Sequence, residues 1–259
     1  MGALLKSEWR KLIYARAHWG LLIAGVLLSG LGTAVTPVIL DNPATSFGLS
    51  LDQTQAVDAV YANAISAYFF AIIIGIMLMS GEFRHGTAVA TFLTAPKRGT
   101  VLATKLAIAA IGGMLVMVIS TAAGLAGGWV VLSFYPDAAS PTNEVFINTM
   151  LAAVISGAIL GLVGVALGTL IRNQMLAITG ALIYLFVIDP ILLTLAPDTG
   201  KYLPVGLITA MLALDIEAPE FGIDTAAYLP PITAVVVLLG YGAVFATLAI
   251  ATSLRRDIE

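Results

Sequence analysis

The chain has 259 residues, of which 59% are hydrophobic and only 10% charged, with a formal net charge of −3. Soluble domains run near ~45–50% apolar and ~25% charged, so an ordinary soluble protein is excluded. The absence of cysteine excludes disulfides, thiolate metal sites and thiol nucleophiles, and His18 and His85 are too few and too far apart for a metal cluster.

The amino-terminal stretch Leu4–Arg16 is amphipathic. At about 100° per residue, Leu5, Trp9, Leu12 and Ile13 share one arc, and Lys6, Ser7, Arg10, Lys11 and Tyr14 occupy the neighbouring polar side. This predicts a basic interfacial helix at residues 4–16, with Trp9 at headgroup depth and Arg10 and Lys11 beside it. A simple anchor that orients the first span is the competing reading.

Six apolar runs reach the ~20 residues that cross a bilayer: 19–40, 59–80, 106–132, 146–171, 175–196 and 232–254. They are continuous rather than alternating, which predicts helices and not a barrel. A seventh run, Leu203–Leu214, is too short to span and contains Pro204 and Gly206; it reads as a re-entrant or interfacial segment. Gly124 with Gly128, Gly157 with Gly161 and Gly164 with Gly168 recur at four-residue spacing. Such pairs fit tight packing within one subunit, with a dimer seam as the alternative. The first apolar run is too long for a signal peptide and is expected to stay in the membrane.

Eleven of the 12 Lys and Arg residues fall on one side of this six-span arrangement, and only Lys201 falls opposite. The positive-inside rule therefore predicts that both termini are cytoplasmic.

Between spans two and three lies the long cytoplasmic connection Gly81–Lys105. Gly86 permits a break, Thr87 offers an N-cap, and Thr87–Thr94 has room for two helical turns before Pro96 stops them. That short helix projects Val89, Phe92 and Leu93, and exposed apolar groups there imply a partner that covers them. Glu82, at the end of span two, is costly at that depth unless paired. The candidate partners are Arg10, Lys11 and Arg84, and the competing reading is a solvated anion at the water boundary. Asp189-Pro190, late in span five, is the one acidic residue inside an apolar run. It is either functional or left at the outer headgroups by a helix that kinks or ends at Pro190.

The same connection carries a resemblance. Glu82, Gly86-Thr87, Thr91-Phe92-Leu93, Pro96, Arg98 and Lys105 resemble the signature region of ABC transporter type-2 permease subunits. The resemblance implies an all-α membrane protein: residues 1–259 as a single transmembrane domain with an interfacial helix, six spans, a coupling helix at 87–94 and a re-entrant segment at 203–214. It further implies a separate cytoplasmic ATPase subunit that holds the ATP and Mg, a second permease subunit as homodimer or heterodimer, and contact with membrane lipid. No cofactor and no nucleic acid are expected on this chain. The implied coupling site is Glu82, Arg84, His85, Gly86, Thr87, Val89, Phe92, Leu93, Pro96 and Arg98. Family members mostly export hydrophobic compounds, lipids or lipid-linked molecules, and a bacterial cell membrane is the expected location.

The chain contains no G-x-x-x-x-G-K-[ST] loop, no G-x-S-x-G and no H-E-x-x-H, so no catalytic site is expected in it. A secondary transporter or channel is the alternative, and would want several buried polar groups where the sequence offers only Asp189. Phe69, Tyr184 and Asp189 are the candidates for a substrate path, with ordinary packing as the other reading for the aromatics.

Overall fold

The computed structural model describes residues 2–42, 45–46, 48–84, 86, 98–171, 173–214, 217–218, 223–224 and 228–255. The expected coupling helix at 87–94, with His85 and Pro96, lies outside the described residues, as does the side chain of Arg98.

Helix α1 (Gly2–Tyr14) is followed by α2 (Arg16–Asp41), the first span. Span two is built from α3 (Thr54–Ala62), a 3-10 turn at Asn63–Ala67 and α4 (Tyr68–Arg84). Span three is α5 (Arg98–Leu132) and span four is α6 (Asn143–Leu170). Span five joins α7 (Gln174–Ile183), a π-helical turn at Tyr184–Ile188 and α8 (Asp189–Leu195). Two short helices follow, α9 (Pro197–Gly200) and α10 (Pro204–Leu212), before α11 (Pro231–Arg255) forms span six. Strands β1 (Glu217–Ala218) and β2 (Ile223–Asp224) make a small antiparallel ladder ahead of it. Among the described residues, six helices are long and apolar enough to cross a membrane.

The ends of these helices have local causes. Thr142 caps α6 by accepting from the Val145 N–H, and is itself held by Asp58, which accepts from the Thr142 N–H at 2.9 Å and from its hydroxyl at 2.8 Å. Asn173 caps α7 through the Leu176 N–H at 3.2 Å, which permits the very short turn from span four to span five. Span five does not stop at Pro190. The proline has no N–H for the helical ladder, and a widened turn just before it lets the helix run on to Leu195. In span two, Asn63 at the 3-10 turn donates to Thr36 Oγ1 at 2.7 Å and to the Gly32 carbonyl at 3.3 Å, joining spans one and two by side-chain polarity.

Spans two, three and four form the core: 67%, 50% and 61% of their most apolar windows are buried, against 22% for each of spans one, five and six. The centre of that core is a glycine seam. A Cβ at Gly75 would collide with the Gly161 carbonyl, one at Gly164 with the Ile72 carbonyl, and one at Gly113 with the Gly157 carbonyl. Backbones touch because no side chain stands between them, which replaces the missing hydrophobic drive in lipid by close van der Waals packing. The repeated glycines of span four thus pack against α4 and α5 of the same chain. Gly124 and Gly128 likewise meet Ser29, Thr33, Tyr61 and Ala64 from spans one and two.

Gly75→Ala must push α4 off α6, and is expected to destabilise the fold by about 1–3 kcal/mol as an overpacking change. Gly180→Ala meets nothing within 4 Å and is the matched control. Thermal unfolding midpoints in detergent check the pair; equal midpoints would contradict the seam.

Candidate functional site

Four charged residues far apart in sequence converge where α1 crosses the ends of spans two and three. Glu8 and Lys11 lie one turn apart on α1, Glu82 sits at the end of α4, and Lys105 lies two turns into α5. Lys11 Nζ stands 2.6 Å from Glu8 Oε1 and 2.6 Å from Glu82 Oε1. Lys105 Nζ stands 2.8 Å from Glu8 Oε2 and 2.7 Å from Glu82 Oε1, and also donates to the Leu78 carbonyl at 3.3 Å. Each lysine therefore bridges both carboxylates, closing a ring of two positive and two negative charges. Glu8, Glu82 and Lys105 are buried, and Lys11 is the member open to water.

Burial by itself pushes the Glu8 carboxyl up, but Lys105 and Lys11 outweigh it and hold Glu8 below its ordinary value of 4.5. Burial pulls Lys11 down, and its hydrogen bonds to Glu8 and Glu82 overcome this, raising it above 10.5. Both residues are thus held charged by the ring.

The elbow that delivers α1 to this position is locked from α2. The last carbonyls of a helix lack partners within it. Here His18 Nδ1 lies 2.8 Å from the Leu12 carbonyl and Trp19 Nε1 donates to the Ile13 carbonyl at 2.7 Å. A carbonyl only accepts, so His18 Nδ1 carries the proton. Leu12 is buried against the position of Gly112 on α5, while Leu5 and Ile13 remain exposed.

Of the partners considered for Glu82, Lys11 is the one it meets; Arg10 is exposed, and Arg84 instead reaches Gln174 at 3.5 Å. The sequence reading missed two members. Glu8 had a signal: at about 100° per residue it lies about 40° from Leu12, on the border between the apolar arc and Lys11. Lys105 looks like a loop residue only if span three begins at Leu106; starting at Arg98, the helix places it inside. Gly86, with φ +65, takes the left-handed backbone that favours glycine.

The path candidates divide. Phe69 stacks on Phe70 at 4.3 Å and meets Phe186 edge-on at 4.8 Å, and both Phe69 and Phe186 line a cavity of about 430 Å³. Asn63, Ser66, Tyr68 and Thr209 are its polar lining residues; Tyr184 and Asp189 do not line it. Asp189 is fully buried, and its Oδ2 accepts from the Val205 N–H at 3.0 Å, in the first turn of α10. A carboxylate at a helix N-terminus satisfies an unpaired donor and complements the dipole. Among the described residues no group of three or more His, Asp or Glu is placed to hold a metal ion.

A predominantly helical bundle with six helices long and apolar enough to cross a membrane, and an ion-paired amino-terminal helix, defines a multi-pass membrane protein. The family model described as "ABC-2 family transporter protein" matches residues 4–188, and the chain belongs to that family. The match takes in α1 and the first four spans and reaches into the fifth, so every member of the charge ring lies inside it. No curated protein matches the sequence.

Removing one member of a buried ion pair leaves the other charge uncompensated, which costs ~3–5 kcal/mol, while an exposed partner is worth ~1 kcal/mol or less. Lys105→Met is therefore expected to lower the unfolding midpoint far more than Lys11→Met, read by thermal unfolding in detergent. The ring also sets a pH window. Because Glu8 titrates below 4.5, its contribution is complete above that value and disappears as pH falls through its lowered pKa. Because Lys11 titrates above 10.5, its contribution is complete below that value and disappears only as pH rises past its raised pKa. The chain has three tryptophans, Trp9, Trp19 and Trp129. The Trp9 emission, taken as the difference between the native chain and Trp9→Phe, is expected to stay constant between those limits and to report release of α1 only outside them.

Proposed function

We propose that this chain is the permease subunit of an ATP-driven exporter of a hydrophobic compound, lipid or lipid-linked molecule. A separate ATPase subunit supplies ATP and Mg chemistry, and a second permease subunit, identical or different, completes the path. The chain itself performs no catalysis. In this reading α1 lies at the cytoplasmic surface of a bacterial cell membrane, both termini are cytoplasmic, and α10 belongs to a re-entrant segment at the opposite side.

The observation that carries the proposal is the position of the charge ring. Glu82 and Lys105 flank the connection that includes residues 87–94, and both are clamped to α1. A push delivered to that connection reaches α4, α5 and α1 together rather than bending one helix end. Asn63 and Thr36 extend the linkage from span two to span one. ATPase docking on Val89, Phe92 and Leu93 would therefore move spans one and two as a unit relative to the less buried span five. Phe69 and Phe186, on spans two and five, face the same cavity and are placed to sense that movement. The secondary-transporter alternative wants an ion site lined by buried polar groups; the buried charges Glu8, Glu82 and Lys105 are taken up in the ring, and the bond of Asp189 to Val205 gives that residue a structural task.

Copurification tests the docking. The ATPase encoded beside this chain is expected to copurify with the native protein and to be lost on Phe92→Asp; a native chain that transports without any ATPase overturns the reading. Glu82→Gln tests the coupling: cargo-stimulated ATP hydrolysis in proteoliposomes is expected to fall toward the basal rate, and unchanged stimulation would reject the clamp.

A further inference from the structure

On the open side of the ring, the elbow between α1 and α2 and the facing ends of α4 and α7 enclose a cavity of about 560 Å³. That is within the ~300–1,000 Å³ range of small-ligand sites. Its polar lining includes Lys11, Arg16, His18, Glu82 and Arg84, while Met77 and Leu78 provide apolar floor. Three cations thus face one carboxylate. Arg16 has no ion-pair partner among the described residues, and Ala15, at the N-cap of α2, gives no side-chain hydrogen bond to the first turn. The positive end of a 26-residue helix is therefore uncapped at the cavity wall.

Glu82 supplies the complementary observation. It is 6% exposed, its Oε1 is shared by both ring lysines, and its Oε2 has no hydrogen-bond donor among the described residues. A buried carboxylate oxygen without a donor is expensive. Arginine side chains and an uncapped helix start suit a phosphate, whereas the free carboxylate oxygen suits an ammonium with N–H to give.

We propose that this cavity binds a phosphate joined to a primary ammonium, the headgroup of phosphatidylethanolamine, with the phosphate at Arg16 and the start of α2 and the ammonium at Glu82. A choline headgroup carries the same charges but has no N–H donor, and a glycerol headgroup has no cation. The cavity lies where spans one, two and five begin or end, which is headgroup depth, so the lipid rather than the free headgroup is the expected occupant. The site stands apart from the transport reading: a lipid held here is a ligand whether or not it is carried.

The test is lipid retention by the purified full-length chain, read by native mass spectrometry after exchange into mixtures of defined phospholipids. A charge-assisted hydrogen bond of ~1.5–3 kcal/mol predicts a preference of about tenfold or more for phosphatidylethanolamine over phosphatidylcholine. Arg16→Ala is expected to weaken both lipids alike, and Glu82→Gln to abolish the preference between them. Soluble phosphoethanolamine separates the sources, since displacement of the lipid at micromolar concentration would assign the site to the free headgroup and overturn the lipid assignment. Equal retention of the two lipids by the native chain, or tighter retention of phosphatidylglycerol, overturns the ammonium pairing without recourse to any variant. Either failure leaves the ATPase-docking result untouched.

Discussion

Charge neutrality in a place with little water is the constraint on which this structure turns. Two carboxylates and two ammonium groups meet at the crossing of three helices, and no pair among them is sufficient. Without Lys105 the two buried carboxylates would be left with only the water-exposed Lys11; without Glu82 the two lysines would be left with a single carboxylate. The full set neutralises itself only when α1, α4 and α5 are all in place. The ring therefore specifies an arrangement rather than merely strengthening one, and it does so for a helix that packing alone holds weakly. Among the described residues, Leu12 is the one apolar side chain of α1 that is buried, so docking depends on polar contacts and on the elbow clasped by His18 and Trp19.

Much of the fold was legible because bilayer thickness translates directly into run length. All six spans emerge from apolar windows, with ends displaced by a few residues where polar caps such as Thr142 and Asn173 extend the helices. The interruptions were less legible. Nothing in the apolar run of span two marks the 3-10 turn at Asn63–Ala67 apart from Asn63 itself, and the π turn before Pro190 is a backbone adjustment that side-chain hydropathy cannot encode. In the candidate site, Glu82 was legible as a charge in need of a partner. Its neighbours Glu8 and Lys105 were not, because one was absorbed into a basic stretch and the other into a loop. Glu8 becomes visible from its place beside Leu12 on the helical wheel, and Lys105 once span three is extended back to Arg98.

The two buried acidic residues found in the described parts of the spans illustrate different solutions to one problem. Glu82 is answered by lysines from two other helices, whereas Asp189 is answered by the backbone of α10, a helix too short to cross the membrane. The first solution links elements separated by most of the amino-terminal half of the chain. The second fixes a local corner, holding α10 against span five. This difference is why coupling is proposed for the former and corner geometry for the latter.

The glycine seam has a mechanical corollary. Where α4 and α6 meet carbonyl against Cα, no pliable side chain is available to be compressed or to swing aside. Axial slip between these two helices would have to clear a full turn, ~5.4 Å, before the notches re-engaged. Small graded shear is thereby forbidden at the middle of the molecule. In the proposed transport cycle, displacement is therefore taken up as pivoting of the sparsely packed outer helices around an inner pair that behaves as one rigid shaft.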